Sequence, residues 1–288
     1  MDISTRLVRR LLAAQFPRWA AWPLEQAGPA GWDNVIYRLG SDLAVRLPRR
    51  AFGAAHVERE HRWLPLLAPR LPLPVPVPLA KGVPGEGYPW HWSVCRWLPG
   101  EIAAVAPAAD LGQAAAALAG FVSALRVVDP AGGPGSEFRG VPLAGRDANV
   151  RTAVAALRGV LDPAPVLAAW RAAVAAPVWQ GPGVWMHGDL HPANLLTDHG
   201  RLSAVLDFGL VAVGDPACDL MVAWTFLNAP ARETFRAALP SDEAAWARGR
   251  GWALDFGLRC AAHAAGDPVL GRIGRHTVRE VVADQPIR

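Results

Sequence analysis

Hydrophobic positions change their spacing several times along the chain, and each change marks an element. From Ser4 to about Trp19, Leu7, Leu11, Leu12 and Phe16 recur near a 3.6-residue period, which predicts an amphipathic helix. Apolar and polar residues then alternate through 34–39 and 43–47 on either side of the turn Gly40-Ser41-Asp42. That pattern predicts a half-buried hairpin, closed by Pro48. The helical period returns over 54–68 with Val57, Leu64 and Leu67, and stops at Pro69. From Leu71 to Leu79 every second residue is proline, which gives a ladder no donor, so this stretch reads as an extended connector. Two strand candidates follow, 79–83 and 90–97, before the turn Leu98-Pro99-Gly100.

Beyond Pro107 the texture becomes Ala- and Leu-rich, predicting helices over 107–128, about 146–160 and 163–176. Residues 131–145, dense in glycine and proline, read as a flexible insert between them. A strand at 184–187 opens a short polar loop, and two apolar segments, 195–197 and 203–206, flank the turn Asp198-His199-Gly200-Arg201. From Pro216 onward the chain is helical, with breaks at Pro230, Pro240 and Gly266-Asp267-Pro268. The succession predicts an α+β protein: a small antiparallel-sheet lobe over 1–98, then a larger, mainly helical lobe over 99–288.

Composition narrows the class. With 52% hydrophobic and 19% charged residues among 288, disordered, collagenous and coiled-coil chains are excluded. Cys95, Cys218 and Cys260 form no C-x-x-C pair, which argues against a disulfide scaffold or zinc ribbon. No secretory leader and no membrane-spanning segment are expected, so the reading is a cytoplasmic protein. The first 100 residues hold 13 Lys and Arg against 7 Asp and Glu, the remainder 16 against 18, so the first third suits an anion. Its arginines are interspersed with acids and no nucleic-acid module is present, so the anion is not expected to be DNA or RNA.

The densest chemistry lies in His187-Gly188-Asp189-Leu190-His191-Pro192-Ala193-Asn194, followed by Asp207-Phe208-Gly209. A carboxylate on a short loop, an amide five residues on and a second carboxylate after the next hairpin can converge on one cleft. Phosphoryl transfer needs such a set: one group to accept a hydroxyl proton, and two oxygen donors to hold magnesium against phosphates. Turn and cap formation is the bland reading, and a zinc site on His187, Asp189 and His191 the sharper rival. No Walker pattern occurs, which counts against a P-loop enzyme.

The motif H-G-D-x-H-x-x-N with a later D-F-G resembles the aminoglycoside phosphotransferase family of protein-kinase-like, bilobal enzymes, macrolide phosphotransferases included. The resemblance implies that Asp189 is the base or hydroxyl-orienting residue, that Asn194 and Asp207 hold Mg²⁺, and that ATP or GTP is the donor. It places Arg46 where kinases carry a lysine; the chain's single lysine, Lys81, lies in a later strand. Glu60 is then the helix acid that orients Arg46, with Glu58 as the alternative; the two lie about 200° apart on a helix, so one at most faces the cleft. Trp32, Asp33 and Asn34 fall where a phosphate-cupping loop belongs, and Cys95 and Trp97 where the backbone would hold the base. His187 and His191 are expected to brace the loop, Asp215 to cap a helix and Asp219 to hold the loop by hydrogen bonds. The acceptor is a hydroxylated small molecule, an aminoglycoside or macrolide first. Choline, homoserine or sugar kinases and a non-catalytic nucleotide-binding module are the alternatives, and the expected state is a monomer or weak homodimer. Asp242, Glu243, Asp255 and Asp267 would serve a cationic acceptor; Trp224, Trp246 and Trp252 would wall a pocket or lie in the core.

Overall fold

Strands that alternate apolar and polar residues must cover one face, and the first five do so together. In a computed structural model of the chain, which describes residues 2–28 and 33–284, they form one antiparallel sheet in the order β1-β2-β3-β5-β4. These are β1 (Leu24–Gln26), β2 (Asn34–Leu39), β3 (Leu43–Pro48), β4 (Pro78–Gly82) and β5 (Trp92–Arg96). The predicted hairpin is β2–β3, with Tyr37 opposite Val45 and Ile36 opposite Arg46. Helix α1 (Thr5–Gln15), capped by Ser4, lays Leu7, Leu11 and Leu12 on a core completed by Tyr37, Leu39, Val45, Trp92 and Val94. Two buried phenols tie distant segments, Tyr37 donating to Ile3 O at 2.7 Å and Tyr88 to Pro48 O at 2.8 Å. Helix α2 (Ala51–Leu67) buries Val57, Glu60, Trp63 and Leu64. These elements belong to one compact unit, Met1–Arg70 with Pro74–Pro99 and Leu206–Gly209.

The second unit comprises Leu71–Leu73, Gly100–Val205 and Leu210–Arg288. It holds β6 (Glu101–Ile102), α3 (Leu111–Arg126), α4 (Asp147–Ala156), α5 (Pro163–Ala175), β7 (Val184–Met186), β8 (Leu195–Asp198), β9 (Arg201–Val205) and β10 (Ala212–Gly214). Four helices follow: α6 (Val222–Thr225), α7 (Ala229–Ala238), α8 (Glu243–Ala262) and α9 (Pro268–Ala283). Strands β6, β8 and β9 form one small sheet and β7 with β10 another. Among the described residues no helix is long and apolar enough to cross a membrane.

Three expectations become specific. The break expected at Pro230 falls just before it, at 226–228 between α6 and α7, and Pro230 itself lies in the first turn of α7, behind the N-cap Asn228, where a missing N–H is harmless. Residues 131–145 are not merely an insert: Arg139 within them is 3% exposed, and Leu143–Arg146 forms a 3₁₀ turn leading into α4. Trp224, Trp246 and Trp252 are 0%, 2% and 0% exposed, so all three are core.

Candidate active site

The polar loop begins where β7 runs out. Gly188 has φ +83°, and a Cβ there would come within 2.8 Å of Leu210 O, so the position needs glycine on both counts. The neighbouring backbone is fixed by Asp219, whose Oδ2 accepts the His187 N–H at 2.7 Å and whose Oδ1 accepts the Gly188 N–H at 2.8 Å. Asp219 is 1% exposed, and burial pushes its carboxyl up against the pull of these donors. Thr225 Oγ1 donates to Leu190 O at 3.2 Å, and His187 Nδ1 accepts the Asp189 N–H at 3.1 Å. Asp215 caps the following turn by accepting from Ala217 N, and Arg248 grips its carboxylate at 2.7 and 3.1 Å.

Asp189 is therefore presented on a rigid base, and its carboxylate is gripped from both sides. Arg139 Nη2 donates to Oδ1 at 2.8 Å, while His191 Nε2 and Asn194 Nδ2 each lie 3.3 Å from Oδ2. His191 Nδ1 accepts the Ala193 N–H at 3.3 Å, and its Nε2 lies 3.1 Å from Asn194 Nδ2 as well as near Asp189. The ring stacks on Phe256 with centroids 4.6 Å apart. Asn194 Nδ2 also donates to the Asp189 carbonyl at 3.0 Å. Burial opposes the charged form of Asp189, but His191, Arg139 and Arg259 outweigh it and hold the carboxyl well below the usual carboxylate range.

In the first unit, Arg46 Nη1 donates to Glu60 Oε2 at 2.8 Å, and Nη2 lies 3.9 Å from Asp207 Oδ1. Burial alone would lower the Arg46 pKa; Glu60 and Asp207 more than offset it. Glu60 Oε1 accepts the Phe208 N–H at 3.1 Å, so one carboxylate links the β3 arginine to the Asp207-Phe208-Gly209 turn. Asp207 sits at φ +59°, sparsely populated backbone that a short polar residue tolerates, and its Oδ1 accepts the Gly209 N–H at 3.3 Å. A Cβ at Gly209 would fall 2.4 Å from His56 Nδ1. Glu58 instead faces outward and pairs with Lys81 at 2.6 Å.

The other expected residues are less chemically exposed. Asn34 opens β2 opposite Pro48, Asp33 O accepts the Arg49 N–H at 2.8 Å, and Trp32 lies outside the described residues. Cys95 is an interior residue of β5 between Ala44 and Pro78. The Trp97 N–H is already engaged by Asp42 O at 2.7 Å. Four acids expected to serve a cationic acceptor have other partners: Asp242 and Asp267 cap α8 and α9, Glu243 pairs with Arg236, and Asp255 is surrounded by arginines. Sequence reasoning missed Arg139, because its only cue was a lone arginine in a Gly- and Pro-rich stretch.

A small antiparallel sheet carrying an Arg–Glu pair, joined to a helical unit carrying an H-G-D-x-H-x-x-N loop, defines a kinase-like phosphotransferase. The chain belongs to the phosphotransferase enzyme family APH, whose model matches residues 25–252. No curated protein matches significantly. Among solved structures, the chain is similar to the GDP and kanamycin complex of APH(2")-IIia, with 20% identity, a TM-score of 0.74, and 97% of this chain and 99% of that one covered. It is also similar to the macrolide 2'-phosphotransferase MphH from Brachybacterium faecium, with 23% identity, a TM-score of 0.61 and 98% of each chain covered. The streptomycin-ATP-APH(2")-IIa ternary complex follows at 15% identity and a TM-score of 0.61, covering 94% of this chain and 95% of that one.

Proposed function

We propose that this enzyme transfers the γ-phosphoryl group of ATP or GTP to a hydroxyl of a small molecule, with residues 1–98 as the nucleotide-binding lobe and 99–288 as the lobe carrying the catalytic loop and acceptor site. The observation that carries the reading is the Asp189 carboxylate, kept ionised and aimed by Arg139, His191 and Asn194. So acidic a carboxylate is a poor proton sink in the ground state. Its work is to accept a hydrogen bond from the acceptor hydroxyl, hold the oxygen in line, and take the proton as the new P–O bond forms and the bond from the γ-phosphorus to the bridging oxygen breaks, releasing ADP or GDP.

The oxygen donors fit Mg²⁺, which binds through one or two protein oxygens plus substrate phosphates in preference to a protein cage. Asn194 directs its Nδ2 to Asp189, which leaves its Oδ1 for the cation. Asp207 supplies the carboxylate. Bound there, the ion would neutralise phosphate charge. Arg46, held by Glu60, would fork onto phosphate oxygens as a lysine would, but with a fixed geometry. Asp33 and Asn34, with Trp32 beside them, would cup the phosphates. The backbone of the segment from Cys95 to Trp97 would hold the base.

An aminoglycoside or macrolide acceptor is supported by the names of the similar structures. A metabolite kinase is the second reading, favoured by the arginines around Asp189. The test is steady-state ADP or GDP release with Mg²⁺ and a panel of hydroxylated acceptors. Replacing Asp189 by alanine should lower kcat by roughly 10²–10⁴-fold while the nucleotide KM stays within a few-fold. Near wild-type turnover in that folded variant would remove Asp189 from the chemistry.

A further inference from the structure

Beneath and beside Asp189 the charge balance is the reverse of what a polycationic acceptor needs. Arg139 bridges two carboxylates, donating to Asp189 at 2.8 Å and lying 3.7 Å from Asp255. Asp255 is fully buried and also lies 3.4 Å from Arg146 and 3.6 Å from Arg259. Three guanidinium groups thus share two carboxylates. The cluster also holds donors with no acceptor. Arg146 Nε and Trp252 Nε1 are buried without a hydrogen-bond partner among the described residues, and Arg139 Nη1 and Arg259 Nε reach Asp255 only at ion-pair distances of 3.7 and 3.6 Å. A buried donor left unpaired is costly, and a surplus guanidinium more so, unless something anionic completes the set. The surplus is not sealed in: the Arg139 side chain is 4% exposed, but Arg146 is 17% and Arg259 42% exposed, alongside Asp189 at 22%.

We infer that Arg139, Arg146 and Arg259 form an oxyanion subsite next to Asp189, and that the acceptor is an alcohol bearing a carboxylate or phosphate near the hydroxyl that is phosphorylated. The inference rests on the kinase reading above, in its metabolite-kinase form and not its aminoglycoside form, since it takes Asp189 as the residue facing that hydroxyl. Arg139 joins the two carboxylates, holding Asp189 through Nη2 at 2.8 Å and facing Asp255 through Nη1 at 3.7 Å, and its charge adds to the field of the subsite. Arg259 and Arg146, on α8 and at the start of α4, are the groups an entering anion meets first. An aminoglycoside would bring like charge to this cluster, and the acids that might have met it are already engaged in caps and ion pairs.

The same chemistry could serve the donor's phosphates, so the test separates the two sources. Melting temperature is measured for the full chain with Mg²⁺ and a saturating non-hydrolysable nucleotide, then with inorganic phosphate or kanamycin added. Phosphate at about ten times its Kd should raise Tm by roughly 3 °C on top of the nucleotide effect. That increment should be lost in Arg259→Gln and in Arg146→Gln, a comparison that cancels the general salting effect of phosphate. The inference is overturned if phosphate adds nothing, if its increment disappears once nucleotide is bound, if both variants keep it, or if kanamycin stabilises more than phosphate. Failure of the kinase reading would look different: the Mg²⁺-dependent nucleotide shift itself would be missing.

Discussion

At the scale of single residues, the clearest consequence concerns Glu60, which neutralises Arg46 with one oxygen and takes the Phe208 N–H with the other. Glu60→Gln keeps the acceptor for Phe208 but leaves a buried guanidinium whose nearest remaining carboxylate is 3.9 Å away, on Asp207. Losing one partner of a buried pair destabilises by about 3–5 kcal/mol. The variant should therefore unfold at lower urea and, where folded, show a nucleotide KM raised at least about tenfold, because Arg46 is free to follow Asp207. A second residue gives a pH signature. His61 lies 3.0 Å from Ser93 Oγ, and burial, reinforced by Lys81, pushes its pKa down from 6.5 to about 4. Between those values the unfolded chain binds the proton that the folded one refuses, so this contribution is complete above pH 6.5 and is lost as pH falls toward 4. Denaturation midpoints should fall over that window in the wild type and fall less in His61→Gln. Residues of this kind were legible in the sequence only where type and position coincided. Helix phase made Glu60 and Glu58 rivals, with Glu60 preferred; in the structure Glu60 pairs with Arg46 and Glu58 with Lys81. Arg139 lay in a stretch with no period to say which way it points, so nothing in the chain announced its hold on Asp189.

At the scale of elements, periodic segments were legible and aperiodic ones were not. The β2–β3 hairpin, α1, α2 and the helices after Pro216 follow hydrophobic spacing that burial enforces. Strands β1, β6 and β10 are two or three residues long, too short to show a period, and exist because a neighbour supplies the ladder. The loop that carries Asp189 is a third case. Its residues were legible as chemistry, but its shape depends on Asp219, which accepts two backbone N–H groups from 31 and 32 residues away. Asp219→Asn is nearly isosteric, yet one amide oxygen can accept only one side of that pair and the NH₂ then faces the other N–H. An unsatisfied buried donor costs about 1–3 kcal/mol. We expect a loss of that size by urea denaturation together with a kcat reduced more than KM, since Asp189 stays chemically intact but loses its fixed aim. An unchanged kcat in the stable fraction would show that the loop holds its shape without Asp219.

At the scale of the whole chain, sequence order and spatial grouping part company. The four residues Leu206–Gly209 group with the first unit although more than a hundred residues separate them from its last strand, and no local pattern signals it. What decides it is contact chemistry: Phe208 N–H on Glu60, Arg59 Nη1 on Gly209 O at 3.3 Å, and the fit of Gly209 against His56. A short turn late in the chain is thereby part of what stabilises a sheet made from its first hundred residues. Phe208 is fully buried, and truncating a buried Phe to Ala typically costs 3–5 kcal/mol (about this range across hosts). If stability is distributed by unit, that loss should not spread evenly. Native-state hydrogen exchange of Phe208→Ala should show amides of β2, β3 and β5 exchanging faster through partial opening, while those of α8 and α9, which belong to the other unit, keep most of their protection. Equal loss in both sets would mean that the chain opens only as one cooperative body and that the turn's contribution is global.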